Sequence, residues 1–160
     1  MTNMTRLRGR SPRGQRCVAW TPHGHWKVTS FIAALRSTGV TAPMLTDEPM
    51  NRALFLAYLR EFLCPTLEPG DVVIADNLSS HKVAGVRQAI EAVDATIWYL
   101  PPSCHDLNPI EQLFSRLKAM LRKAAKRTVD GLWQKIGRLV DTVSANECRN
   151  YFKAAGCVCD

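Results

Sequence analysis

No aspartate or glutamate occurs before Asp47 in this chain of 160 residues. The same stretch carries seven cationic side chains: Arg6, Arg8, Arg10, Arg13, Arg16, Lys27 and Arg36. From residue 47 onward fourteen Lys and Arg meet fourteen Asp and Glu, so the whole net charge of +7 lies in the acid-free part. Acids are absent again between Arg116 and Arg127, a stretch that also holds Lys118, Arg122, Lys123 and Lys126. Basic clusters free of acids bind phosphates by releasing counterions, which predicts contact with nucleic acid through Arg6, Arg8, Arg10, Arg13, Lys118 and Arg122. The plainer alternative is a solvated face and a basic tail.

Other absences narrow the class further. No run of about 18 apolar residues exists, so no helix is expected to span a membrane. The start, "MTNMTRLRGRSPRGQR", has no apolar segment behind its charges and is not a secretory signal. Pro12 and two glycines argue against the amphipathic helix of a transit peptide. The six cysteines form no CxxC pair and no regular framework, and read as free thiols of a reducing cytoplasm. The pair Cys157 and Cys159 is spaced more narrowly than zinc ligands usually are. No repeat or low-complexity block is visible. What remains is one globular domain with a real core, residues 16–160, behind a Gly/Arg-rich arm of residues 1–15.

Periodicity orders the elements. Cys17–Trp20 and Trp26–Ile32 suggest a hairpin turned by "TPHGH". Apolar residues at helical spacing predict a helix over 52–63, ended by Pro65 and "EPGD". Val72–Ala75 is a fully apolar strand of the kind buried on both faces. A helix over 82–93 and a strand over 95–100 follow, the latter stopped by Pro101 and Pro102. From Ile110 onward three helices follow, centred on Leu117, Ile136 and residues 146–155. A hairpin, then alternating strand and helix, then helices, predicts an α/β fold with helices packed on a mixed sheet.

The stretch "VVIADNLSSHK", residues 72–82, stops its apolar run at an acid. In open α/β sheets ligands bind beyond the carboxyl ends of strands, where Asp76 stands. The alternative is an Asx turn, with Asp76 or Asn77 capping the following loop. A second acid lies in "SCHDLNPIEQLFSRLK", residues 103–118. Asn108 suits the N-cap, Pro109 the first helical position and Glu111 the third, a capping-box arrangement. Glu111 also lies beside the apolar stripe, on a polar face with Ser115, Lys118 and Arg122. Two acids on two rigid elements suit a divalent cation with hard oxygen ligands.

Together "MTRLRGRSP", "VVIADNLSSHK" and "WYLPPSCHDLNPIEQLFSRLK" resemble the DDE transposases of bacterial insertion sequences related to the mariner superfamily, along essentially the whole chain. Asp76 and Glu111 are separated by 34 residues, a spacing characteristic of that superfamily. The resemblance implies a ribonuclease-H-like fold, Mg²⁺ or Mn²⁺ in a two-metal arrangement, and DNA cleavage with strand transfer. It implies Asp76 and Glu111 as catalytic metal ligands, with Asn77, His81 and Asn108 as possible accessories. Transposon ends and target DNA would be partners of a bacterial, nucleoid-associated protein.

The family uses three carboxylates, the first on a strand upstream of the segment matching "TNMTRLRGRSP". No acid here occupies that place: Asp47 falls in an expected loop, and Asp71 at the other end of the strand of Asp76. Asp106 is the nearest stand-in. The expectation is a catalytic-domain fragment that lacks its first strand and is inactive alone. Its partner would be an upstream-encoded half or a full-length transposase. The competing expectation is a non-enzymatic DNA-binding or transposase-interacting protein.

Overall fold

The computed structural model describes residues 8–18, 28–78, 85–102, 104–126 and 128–157. Strands β1 (Ser30–Arg36) and β2 (Gly39–Thr46) form an antiparallel hairpin, with Arg36 opposite Gly39 across a two-residue turn. The register shifts between Ile32 and Ala34, and Ala42 on the facing strand takes a left-handed φ of 49°. Such an irregularity bends one strand against its partner. Alternation then gives the hairpin two apolar faces. Ile32, Ala34 and Met44 pack on one cluster, around Phe55, Tyr58 and Leu59. Phe31, Leu35, Val40 and Leu45 pack on another, around Leu113, Leu117 and Ile136. The hairpin is therefore the middle of three layers.

This hairpin lies downstream of the expected one. Cys17 and Val18 are exposed and in no strand, and residues 19–27 lie outside the described residues. The expected strand ending at Ile32 begins at Ser30 and continues to Arg36. Its partner, "GVTAPMLT", is poorly announced because Gly39 and Pro43 read as loop residues. Pro43 fits because β2 lies at a sheet edge, where a missing N–H costs no ladder bond.

Helix α1 (Arg52–Tyr58) starts at Asn51, whose Oδ1 accepts from Leu54 N at 2.9 Å. It passes into a wider π-helical turn, Leu59–Leu63, and a tight turn, Cys64–Thr66, at Pro65. Strand β3 (Val72–Ala75) pairs in parallel with β4 (Thr96–Tyr99), and the two are joined through α2 (Val86–Glu91). Thr96 N donates to Asp71 O at 2.8 Å and Leu100 N to Ala75 O at 2.9 Å, extending the ladder at both ends. Val73, Ala75, Ile97 and Tyr99 pack on the first cluster with α1 and α2.

The expectation that β3 is buried on both faces is not met. Val72 is 46% exposed, Ile74 43% and the neighbouring Trp98 62%. Among the described residues the strands form two two-stranded sheets rather than one mixed sheet. A side-chain bridge among the described residues joins them. Arg36 at the end of β1 donates from both Nη atoms to the Asp71 carboxylate, with Nη1 to Oδ1 at 3.2 Å, and from Nη2 to Thr66 O at 3.0 Å. Hydrogen bonding to Arg36, then to Glu68 N–H, holds the Asp71 carboxyl below the usual carboxylate range.

Three helices complete the fold: α3 (Pro109–Ala124), α4 (Val129–Val140) and α5 (Ala145–Ala154). Their stripes of Leu113, Leu117, Leu121, Ile136 and Leu139 build the second cluster. Cys148 is fully buried. Arg116 of α3 meets Glu147 of α5 at 2.7 Å, and Tyr151 donates to the same carboxylate. Burial, with that hydrogen bond second, pushes the Tyr151 phenol up to about 12. No helix among the described residues is long and apolar enough to cross a membrane.

Candidate metal centre at the strand ends

Asp76 is the first residue beyond β3. An apolar strand fixes its backbone, and the side chain is half-buried. Its Oδ1 accepts from Leu78 N at 3.4 Å. That is the Asx-type contact foreseen, at the long limit of hydrogen bonding. Asn77 is half-buried beside it. His81 lies outside the described residues.

Glu111 is the third residue of α3. Asn108 occupies the N-cap in extended backbone, φ −104° and ψ 104°, and Pro109 follows as expected. The capping box itself does not form. The Asn108 side chain makes no cap bond, and Glu111 N donates instead to the Asn108 carbonyl at 3.1 Å. Among the described residues no bond runs from the Asn108 N–H to the Glu111 carboxylate. Glu111 is half-buried, and its charge is not spent on holding the helix start.

The fold sets both acids away from the Arg36–Asp71 bridge. Asp76 is a strand's length from Asp71. The second turn of α3 meets the start of β1, where Phe114 packs edge-on against Phe31 with centroids 5.8 Å apart. Phe31 is in turn a strand's length from Arg36. Glu111 stands one turn before Phe114.

Both acids supply hard oxygen donors, the type that Mg²⁺ and Mn²⁺ take. In donor type the pair fits such an ion. In number it falls short, since no group of three His, Cys, Asp or Glu among the described residues is placed to hold a metal. Asp71 is engaged by Arg36 at the opposite end of β3. Asp106 is exposed in a tight turn, His105–Leu107, and belongs to no such group.

The cationic side chains divide in two. Arg8, Arg10 and Arg13 are exposed, while Arg6 lies outside the described residues. On α3, Lys118 and Lys123 are exposed, and Lys126 is exposed just beyond its end. Arg122 is half-buried, with its buried Nε unpaired among the described residues. Arg116 turns to Glu147, so the basic stretch is not one continuous solvated face. The Arg36–Asp71 bridge and the bare face of Trp98 were not foreseen. The apolar residues on both faces of β3 were the available signal for the latter.

Comparison with known proteins gives a family and a fold. The sequence matches the family described as DDE superfamily endonuclease over residues 1–132. No curated protein sequence matches. The structure superposes on the Mos1 mariner paired-end complex with Mn at a TM-score of 0.73 and 16% identity, covering 98% of this chain and 49% of that one. The Mos1 strand transfer complex gives 0.72 and 17%, covering 98% and 48%. The isolated catalytic domain of Mos1 mariner transposase gives 0.59 and 13%, covering 81% and 76%. At such identities the likeness is one of fold, here the ribonuclease-H-like α/β fold of a transposase catalytic domain. The chain spans about half the length of the first two chains.

Proposed function

The chain belongs to the DDE superfamily endonucleases, and from that premise we propose that it serves metal-dependent DNA cleavage and strand transfer in transposition, with Asp76 and Glu111 holding Mg²⁺ or Mn²⁺. What supports this reading is a strand-tip Asp76 together with a Glu111 that is not consumed by a capping box. Bound there, divalent ions would polarise a phosphodiester and activate the attacking oxygen. The chain's own part is to hold two negative carboxylates on rigid backbone. Lys118 and Arg122 of α3, with Arg8, Arg10 and Arg13, would attract the phosphates of transposon ends and target. Asn77, Asn108 and His81 are placed by sequence near the acids and are proposed as accessories.

As an isolated polypeptide of residues 1–160 we expect no cleavage, because two carboxylates underhold a metal pair. The described residues contain no third donor grouped with another pair. The test is nicking of supercoiled DNA in Mg²⁺ or Mn²⁺ by the pure chain. Robust nicking abolished by Asp76→Asn would overturn the expected inactivity and make Asp106 the first substitute to replace. Salt-sensitive DNA binding without nicking is expected. Replacing Arg8, Arg10 and Arg13 by Ala should flatten the salt dependence, by roughly 0.9 in log–log slope for each phosphate that is no longer neutralised. An unchanged slope would remove the arm from the interface. Binding that persists although Asp76→Asn and Glu111→Gln leave metal affinity unchanged would favour the second reading, a non-enzymatic DNA-binding or transposase-interacting protein.

A further inference from the structure

Helix α3, which carries Glu111, is oriented by three kinds of contact. The first is the stripe Leu113, Leu117 and Leu121, clustered with Ile136 and Leu139 of α4. Apolar burial is non-directional, so such a stripe holds a helix down better than it stops the helix rolling. The second is Phe114 against Phe31 of β1, edge-on with centroids 5.8 Å apart. The third is Arg116, whose Nη1 lies 2.7 Å from Glu147 Oε1 of α5. Steps of about 100° per residue set Phe114 and Glu111 on one flank of the leucine stripe and Arg116 on the other. Phe114 limits a roll from one side, and Arg116 limits it from the other.

The contact on the Arg116 side is made by two residues of α5. Glu147 is the third residue of that helix, and its N–H donates to the N-cap Ser144 Oγ at 3.3 Å. A capping-box acid at that position would turn back to the helix start. The Glu147 carboxylate instead accepts from the Tyr151 hydroxyl and meets Arg116 on the neighbouring helix. Both members of the ion pair are partly buried. Arg116 Nη1 is itself buried and lacks an aligned hydrogen-bond partner among the described residues, so charge rather than N–H direction holds it at Glu147. A cation so placed cannot leave its acid without remaining buried and uncompensated. Burial and the bond to Glu147 keep the Tyr151 phenol a donor at any ordinary pH. Arg116 also belongs to the acid-free stretch expected to meet phosphates, and Glu147 withdraws it from that duty.

Small rolls matter at the far flank. A side-chain tip about 5 Å from the helix axis moves roughly 2 Å when the helix rolls by about 20°. Metal ligands must lie within about 0.2 Å of their preferred distance. Resting on the reading of Glu111 as a metal ligand, we propose that Glu147 and Tyr151 are positioning residues: by gripping Arg116 they stop α3 from rolling and so aim the Glu111 carboxylate.

The test uses the full chain, isotope-labelled for NMR, and two readouts. Amide resonances of residues 110–114 report the setting of the first turn of α3 without any metal. Mn²⁺ affinity, from water proton relaxation, reports the carboxylate. In Glu147→Gln those resonances should move, and Mn²⁺ should bind at least threefold more weakly, short of the roughly tenfold or greater loss typical of a partner that touches a ligand directly. Tyr151→Phe keeps both charges and should move the same resonances by less. Thr128→Ala removes a cap of α4, leaves the grip intact and should change neither readout. Reversing the pair, Arg116→Glu with Glu147→Arg, should recover at least half of the lost affinity. Glu147→Gln that lowers the melting temperature yet matches Thr128→Ala in both readouts overturns the proposal, since the pair is then structural only. Moved resonances with less than a threefold loss of affinity, or a reversed pair that recovers neither readout, also overturn it. Should Glu147→Gln fail to fold, Tyr151→Phe must move residues 110–114, and unmoved resonances overturn the grip. Mn²⁺ affinity indifferent to Glu111→Gln would remove Glu111 as a ligand; moved resonances would then still support the grip, and unmoved ones would overturn it.

Discussion

The hairpin β1–β2 and the pair β3–β4 are both short and apolar, and only the first is covered on both faces. One face of the hairpin meets α1 and the other meets α3 and α4. The β3–β4 pair meets the α1–α2 cluster on one face and leaves Val72, Ile74 and Trp98 in solvent on the other. An isolated pair of strands is marginal without a covered face. The difference teaches that Asp76 is carried on the sheet that is covered on one face only.

Substitutions within β4 test this contrast most strongly. Ile97 is 2% exposed and Trp98 62%. Ile97→Ala should cost about 2–5 kcal/mol of unfolding free energy, the range for a buried aliphatic truncation. Trp98→Ala should change it by less than about 0.5 kcal/mol. Urea denaturation would read both. A Trp98→Ala loss comparable to that of Ile97→Ala would mean the face is covered in solution and would break the comparison.

The bridge between the sheets comes next. Arg36→Ala should cost roughly 1 kcal/mol, the upper end for a partly exposed ion pair. Because the folded-state pKa of Asp71 is depressed, its contribution is present above the unfolded carboxylate value and is lost as pH falls through the folded one. Wild-type stability should therefore decline below about pH 4, and Asp71→Asn should flatten that limb of the profile. Identical acid limbs in the two proteins would place the effect elsewhere.

Helix starts provide the finest test. Thr128 Oγ1 accepts from Gly131 N at 3.1 Å, and Thr128→Ala should cost about 1 kcal/mol. Asn108 makes no such bond, so Asn108→Ala and Glu111→Gln should each cost no more than a few tenths. A cap-sized loss on Glu111→Ala that Glu111→Gln does not share, since an amide oxygen still accepts, would restore the capping box and weaken Glu111 as a free ligand.

Much of this architecture is legible in the sequence where a period repeats. The stripe Leu113, Leu117, Leu121 predicts α3, and the apolar runs predict β3 and β4. The hairpin is displaced because Gly39 and Pro43 interrupt β2, and only an edge position makes them tolerable. Spacing alone places Asn108, Pro109 and Glu111 correctly but cannot say which way the Asn108 side chain turns. The apolar residues of "VVIA" record a preference for burial on two faces, yet only one face is covered. Asp76 is singled out as a candidate because an apolar run ends there in an acid. Its neighbour His81 lies outside the described residues.

The central claim is that Asp76 and Glu111 bind one metal centre, and Mn²⁺ located by anomalous diffraction in crystals of the chain grown with Mn²⁺ tests it most directly. The account predicts an anomalous peak with carboxylate oxygens of both residues at bonding distance, abolished by Asp76→Asn or Glu111→Gln. Carboxylates more than about 10 Å apart, too far to share a metal pair, or a peak held by other residues, would contradict it.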